Sequence, residues 1–351
     1  MNGEEQAMFR QKDQIKIVFF SDTHLGFDFP LHPRVERRRR GHDFFENYKT
    51  VLNHAKSIRA DLIIHGGDLF FRSKIPEGIV NLAYQPLLDI AEAGIPVYLV
   101  PGNHERGSLP SSLFLAHPNI NVFIKPRTFI REIHNISLAL SGFPFSRGDI
   151  RTDFRTILSE SEYERIQADI KLLCLHQAVE GAVVGPANYR FLHRKDTIRL
   201  KDIPFKFDGV LSGHIHRHQI ISKVNPANET ILPVIYSGSI ERTSFAEKNE
   251  TKGFLEITCS KAGIDKIEFK QLPIRPMYDL NIESGNSVNT LKRSIINAIS
   301  DFDRNAIVRL NCISNIDETI KRKLNMAFFR TCFPETMNIQ ISSGFYKPSY
   351  P

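Results

Sequence analysis

Three short apolar runs, each stopping abruptly on a polar tip, constrain the chain most: IKIVFFSD at 15–22, DLIIHGGD at 61–68 and PVYLVPGN at 96–103. Apolar at consecutive positions, they read as strands buried on both faces, as in a parallel sheet. Helical patterns separate them. Phe44, Phe45, Tyr48, Val51, Leu52, Ala55 and Ile58 form one stripe over 42–60. A second helix is expected over 78–93, with Pro86 kinking it or marking its start. The β-α-β-α-β order implies a parallel, right-handed α/β core. Further on, strands dominate: NVFIK (121–125), ISLALSGFP (136–144), IKLLCLHQ (170–177), DGVLSGHIH (208–216), VIYSGSI (234–240) and GFLEITC (253–259), with a helix expected over 153–170. Strands facing strands with helices outside predict a four-layer αββα sandwich.

Pro273 and Pro276 then punctuate the chain, and a compact second pattern follows. MYDLNIE (277–283) is strand-like. Val288, Leu291, Ile295, Ala298, Ile299 and Phe302 make a helical stripe, AIVRLNCIS (306–314) is a strand, 317–330 a helix and MNIQISS (337–343) a strand. The expected division is a tail over 1–14, a main domain over 15–272 and a small C-terminal α/β capping domain over 273–351. A chain of 351 residues has room for both.

Bulk properties narrow the class. The polar start, MNGEEQAMFRQKDQ, has no signal-like core, and no apolar run reaches the length of a membrane span. Cys174, Cys259, Cys312 and Cys332 lie far apart without metal-type pairing, so buried thiols in a reducing compartment are expected. The formal net charge of +7 leans toward polyanionic partners. Five arginines fall within HPRVERRRR (32–40), either a solvated loop or a phosphate contact.

The strand tips carry the chemistry. SDTH supplies Asp22 and His24, GGD supplies Asp68, GNHE supplies Asn103 and His104, LHQ supplies His176, and GHIH supplies His214 and His216. On a backbone that stayed extended past Gly213, alternate histidines would share one side; His218 is taken as a surface residue. Ligands of open α/β sheets bind beyond the carboxyl ends of the strands. Without His104, two carboxylates, one amide oxygen and four imidazoles exceed the needs of one tetrahedral zinc. They fit two divalent cations sharing a carboxylate, with mixed nitrogen and oxygen ligands pointing to Mn²⁺, Fe²⁺ or Zn²⁺. Each residue alone has a bland reading as a helix cap or a core histidine; five tips ending alike do not.

SDTHLG, GGDLF, PGNHE, LHQ and GHIH resemble the five blocks of the calcineurin-like metallophosphoesterases. The further block YSGSIERTSFAEKNETKGF (236–254) and the small domain after Pro276 are similar to the SbcD and meiotic-recombination-eleven nucleases of double-strand-break repair. The resemblance spans 15–343. It implies one metal on Asp22, His24, Asp68 and His216, another on Asp68, Asn103, His176 and His214, and a manganese pair bridged by Asp68. It implies His104 as the catalytic histidine of a two-metal DNA exonuclease or endonuclease. Arg37, Arg38, Arg39 and Arg40 are then candidate phosphate contacts. DNA, an SbcC-type coiled-coil ATPase and a second copy packed through helices 42–60 and 78–93 are the implied partners, in the cytoplasm at the nucleoid, with no membrane. Two features depart from the pattern. Phe71 stands where many members have a histidine three residues after the bridging aspartate, and no ATPase-docking segment is evident before the final GFYKPSYP. The alternatives are a phosphoesterase for a small nucleotide or phosphorylated metabolite, against which the basic balance and added domain speak, and a non-catalytic scaffold, against which the intact ligand set speaks.

Overall fold

The structure, a computed structural model, describes residues 13–28, 39–110, 112, 117–283, 287–312, 320 and 322–342. Two compact units are present. The larger comprises Met1–Phe27, Asp43–Arg242 and Glu250–Pro273; the smaller comprises Asp28–His42, Thr243–Asn249 and Ile274–Pro351. The smaller unit thus takes in two short stretches that sequence patterning assigns to the main domain.

The larger unit is built on two six-stranded sheets. The first contains β1 (Ile15–Phe20), β2 (Leu62–His65), β3 (Val97–Leu99) and β4 (Ile120–Val122), all parallel, with β15 (Gly253–Ser260) and β16 (Gly263–Gln271) antiparallel beyond β1. The second contains β5 (Arg127–Ile133), β6 (Ile136–Gly142), β7 (Ile170–His176), β12 (Gly209–Gly213), β13 (Gln219–Val224) and β14 (Ile231–Tyr236). Its order is β13-β14-β12-β7-β6-β5, with four parallel central strands and antiparallel edges. Four two-residue strands pair as ribbons: β8 (Ala178–Val179) with β11 (Thr197–Ile198), and β9 (Val183–Val184) with β10 (Tyr189–Arg190).

Alternation along the central strands explains the layering. Ile15, Ile17 and Phe19 of β1 share one buried core with Leu138 and Leu140 of β6 and Leu172 and Cys174 of β7, so the two sheets face each other. The outer face of the first sheet meets α1 (Arg40–Ser57) and α2 (Glu77–Glu92): the Tyr48 ring lies 6.3 Å from Phe20, and its hydroxyl donates to the Ala83 carbonyl. On the second sheet, Phe154 and Leu158 of α3 (Ile150–Ser159) pack with Leu173, Val210 and Val234. The αββα arrangement follows directly.

The helix expected over 78–93 is α2, and of the two places offered for Pro86 the start is excluded, since the helix begins after Pro76 and contains Pro86. One helix expectation needs correction. The helix expected over 153–170 starts earlier and stops at Ser159. The Asp149 side chain caps its first turn by accepting from the Thr152 amide, and Glu162, at φ 58°, turns the chain out of the helical path.

The smaller unit holds a parallel sheet of β17 (Met277–Ile282), β18 (Ile307–Cys312) and β19 (Asn338–Ile341). Ser287 caps α4 (Val288–Ala298) and Asn325 caps α5 (Met326–Arg330). Leu291, Ile295, Val308, Leu310, Phe329 and Phe333 form its core. Within the helix expected over 317–330, residues 317–319 and 321 lie outside the described residues, as do residues 1–12 of the expected tail. Among the described residues no helix is long and apolar enough to cross a membrane.

Candidate metal centre

The strands stop and the backbone twists sharply. Asp22, His24, Asp68 and His214 all adopt positive φ, at 52°, 45°, 53° and 81°. A non-glycine residue in this region costs on the order of 1 kcal/mol or more and persists only where its surroundings dictate it. Here adjacent loops lace together. The Asp22 amide donates to Gly67 O (2.9 Å), the His24 amide to Asp68 O (3.0 Å) and the Leu25 amide to Leu69 O (2.9 Å). Two glycines let these loops close up: a Cβ on Gly67 would stand 2.2 Å from His176 Nδ1, and one on Gly102 would stand 2.1 Å from Asp68 Oδ1.

The alternation argument for the three nearby histidines fails on this geometry. The strand β12 ends at Gly213, and the turn at His214 sends the rings apart. His214 Nδ1 lies 2.8 Å from Asn103 Oδ1, whereas His216 Nε2 lies 3.0 Å from His24 Nε2. His218 bonds the Tyr236 carbonyl and stacks on Phe269.

Two clusters result. In one, His24 and His216 converge with Asp22, whose Oδ1 is 3.8 Å from His216 Nε2. In the other, Asn103 Oδ1 faces His176 Nε2 at 2.9 Å as well as His214, and Asp68 Oδ2 stands 3.4 Å from His176 Nε2. Asp68 reaches both: its ligand atom lies within 4.8 Å of those of His24 and His104, and likewise of those of Asp22 and His176. The donor set fits divalent cations, since carboxylate, amide and imidazole lone pairs converge in a buried space and His24 Nδ1 has no hydrogen-bond partner among the described residues.

Electrostatics agree with that fit at His24, His214 and Asp68; at His176 burial pulls downward but Asp68 and Asp22 outweigh it and lift the ring to about 9, so a cation there must displace a proton. Burial, reinforced by His216, pushes His24 well below the usual imidazole range, and burial with His176 pushes His214 down to about 3; both rings are neutral with lone pairs free. Burial pulls the Asp68 carboxyl upward, but His176, by charge and by hydrogen bond, outweighs it and holds Asp68 below the ordinary range. His176 Nδ1 donates to Gly66 O at 2.7 Å, which fixes the tautomer and turns Nε2 toward the cluster.

A sequence model described as calcineurin-like phosphoesterase matches residues 15–218, more than half of the chain. The chain belongs to the calcineurin-like phosphoesterase family. The fold of that family binds divalent metals, and the clusters around Asp68 are this member's candidate positions for them. Among curated relatives, the chain is 24% identical over 342 residues to the DNA double-strand break repair protein Mre11 of Archaeoglobus fulgidus, covering 92% of this chain and 73% of that protein. It is 27% identical over 282 residues to the protein of the same name from Methanocaldococcus jannaschii, covering 78% and 70%. A solved dimetal phosphatase from Danio rerio aligns with a TM-score of 0.44 at 11% identity, covering 73% of this chain and 95% of that one.

In this calcineurin-like phosphoesterase, His104 sits at the rim. Its amide donates to Asp68 Oδ1 (2.9 Å), its Nδ1 donates to the Phe71 carbonyl (2.6 Å), and Nε2 lies 3.9 Å from Asp68 Oδ2. The ring is about a third exposed, which leaves it open to a substrate. The Phe71 ring lies 5.6 Å from His104 and 5.9 Å from His24. Phe71 therefore orients His104 through its backbone and walls the site with its side chain.

Sequence reasoning missed the supports behind these groups. Buried Glu105 accepts from the amides of Phe70 and Gly102, both at 2.7 Å, riveting the Asp68 loop to the Asn103 loop; burial and nearby Asp68 push its carboxyl up to about 8. Its signal was the final letter of PGNHE. His65, held neutral at about 3 by burial, accepts from the Gly67 amide and bonds the Thr23 hydroxyl. Of the basic run, Arg39 pairs with Asp28 at 2.9 Å and Arg40 is buried, with its amide on Asp28 Oδ2. Arg37 and Arg38 lie outside the described residues.

Proposed function

We propose that this calcineurin-like phosphoesterase is a DNA nuclease of the SbcD type, cutting phosphodiester bonds as an exonuclease or endonuclease in double-strand-break repair. The observation that carries this reading is the extent of the likeness to the Archaeoglobus Mre11 protein: at 92% of the chain it reaches beyond the metal-bearing unit. A small-substrate esterase needs only that unit. Exposed Arg72 and Lys74 on the segment after Asp68, Arg106 two residues after His104, and Arg147 two residues after Phe145 support polyanion binding. Among the described residues none of these four is in an ion pair. In the run 37–40, the ion pair of Arg39 and the burial of Arg40 shift the phosphate-contact role toward Arg37 and Arg38. Such contacts supply affinity without reading sequence.

Asp22, His24, Asp68 and His216 would hold one cation and Asp68, Asn103, His176 and His214 the other, with Asp68 bridging and manganese as the metal. When bound, the pair supplies an activated water and neutralises charge on the phosphoryl oxygens. The remaining work falls to the protein. His104, oriented through Nδ1 by the Phe71 carbonyl, offers Nε2 to the leaving oxygen and delivers a proton there. Gly66 O keeps His176 from rotating, and the buried Glu105 keeps Asp68 and Asn103 in register. The smaller unit adds DNA contacts, a second copy packs on α1 and α2, an SbcC-type ATPase is the protein partner, and the nucleoid is the place of action.

The test is cleavage of linear blunt, overhung and hairpin duplexes with Mn²⁺ or Mg²⁺, beside bis-p-nitrophenyl phosphate. Cleavage of DNA that disappears in Asp68→Asn supports the reading. Turnover of the small diester with no cleavage of any DNA contradicts it.

A further inference from the structure

His216 rides on the loop between β12 and β13, and that loop is held from behind by charges that no step above uses. Its carbonyl accepts two hydrogen bonds, from the Ser239 amide at 3.1 Å and from Lys252 Nζ at 2.8 Å. Lys252 is only 1% exposed, and its ammonium also meets Glu250 Oε2 at 3.1 Å. The other Glu250 oxygen accepts from Arg217 Nε at 2.9 Å, and Arg217 goes on to Asn188 Oδ1 and Gly185 O. The Glu250 carbonyl is itself held by the Arg242 guanidinium. Residues 216 and 217 are therefore clamped together, the first by its carbonyl and the second by its side chain, onto the segment that enters β15.

A neutral donor could hold a carbonyl; a buried ammonium is tolerated only when it is paired and fully hydrogen-bonded. The chain bears that cost at the loop whose ring must meet His24 Nε2 at 3.0 Å and Asp22 Oδ1 at 3.8 Å. Approach is already tight: a Cβ on Gly238 would stand 2.9 Å from His216 O. We propose that Lys252, with Glu250 and Arg217, is a positioning group that sets His216 for cation binding at the Asp22–His24–His216 cluster. The proposal rests on reading that cluster as a metal site and is independent of whether DNA is the substrate. It also gives the block YSGSIERTSFAEKNETKGF a physical task, which is to back a ligand loop.

The experiment is calorimetric titration of the full chain with Mn²⁺, with electron paramagnetic resonance of the loaded protein, on wild type, Lys252→Met, Lys252→Arg and Arg217→Met. Wild type is expected to take up two ions with a spin-coupled spectrum. Lys252→Met weakens one of the two by ~10–100-fold and leaves the spectrum of an isolated ion, in line with the loss of outer partners at metal sites. Lys252→Arg restores the second ion, and Arg217→Met, at a partly exposed position, weakens the same ion more mildly. Should Lys252→Met fail to fold, Arg217→Met decides: unchanged binding of both ions overturns the proposal. Equal weakening of both ions in either folded variant also overturns it, as does a wild type that binds no ion. A wild type that binds two ions yet cuts no DNA removes the nuclease reading and leaves this one standing.

Discussion

Asp68 bears much of the site, since its carboxylate lies within reach of His24 in one cluster and of His176 in the other. Replacing it with asparagine keeps the shape and removes the charge. Asp68→Asn is expected to bind no more than one Mn²⁺ and to lose phosphodiester hydrolysis by ~10²–10³-fold or more; two ions bound at wild-type affinity would contradict the bridging role. His104 is expected to behave differently because it orients and protonates without being needed to hold metal. His104→Ala should keep two ions bound and lower DNA hydrolysis by ~10²–10⁴-fold. The loss should be much smaller with bis-p-nitrophenyl phosphate, whose nitrophenolate departs without a proton. Equal losses on both substrates would show that His104 acts elsewhere in the reaction. Glu105 is structural: Glu105→Ala strands two buried amides, each an unpaired donor worth ~1–3 kcal/mol. Chemical denaturation should report a loss of about 2 kcal/mol or more.

The elements that carry the site were the legible ones. The central strands β1, β2, β3, β7 and β12 are buried on both faces, so they read as unbroken apolar runs with polar tips. Three edge strands of the larger unit, β5, β13 and β16, were not legible, although the edge strand β4 was. Along β13, exposed and half-buried positions alternate, as suits a strand with one wet face. β16 is harder to see because its register shifts against Thr258 and Cys259, which breaks the period of two between Ile264 and Ile267. α3 ends at Ser159, and the left-handed turn that follows at Glu162 is announced by no pattern of apolar residues. In the smaller unit, β17 and β18 are tied by Asp279, which bonds Arg309, Lys248 and Asn311. Burial pulls its carboxyl upward, but those partners outweigh it and hold it at about 2. Because the folded value lies below the ordinary one, this stabilisation is complete above about pH 4. It is lost as pH falls from there toward 2. Asp279→Asn should flatten that part of the stability-versus-pH curve, measured by denaturant titration; an unchanged slope would assign the acid sensitivity to other carboxylates.

For the molecule as a whole, most of the metal-site candidates could be named from sequence because strand ends concentrate chemistry in short blocks. What sequence could not give was the path between them. The histidines of GHIH reach two different clusters because the backbone turns at His214, and the supports at Glu105, His65 and Lys252 each depend on one partner far away along the chain, Phe70, Thr23 and His216 respectively. The basic run at 32–40 was conspicuous as composition, yet the described part of it is spent on Asp28 and on burial. Exposed cations beside the metal loops were too scattered to notice. The measurement that tests the central claim most directly is anomalous diffraction at the manganese edge from Mn²⁺-loaded crystals. The account predicts two peaks, one among Asp22, His24 and His216 and one among Asn103, His176 and His214, with Asp68 in contact with both. A single peak, or manganese seated away from Asp68, would contradict it.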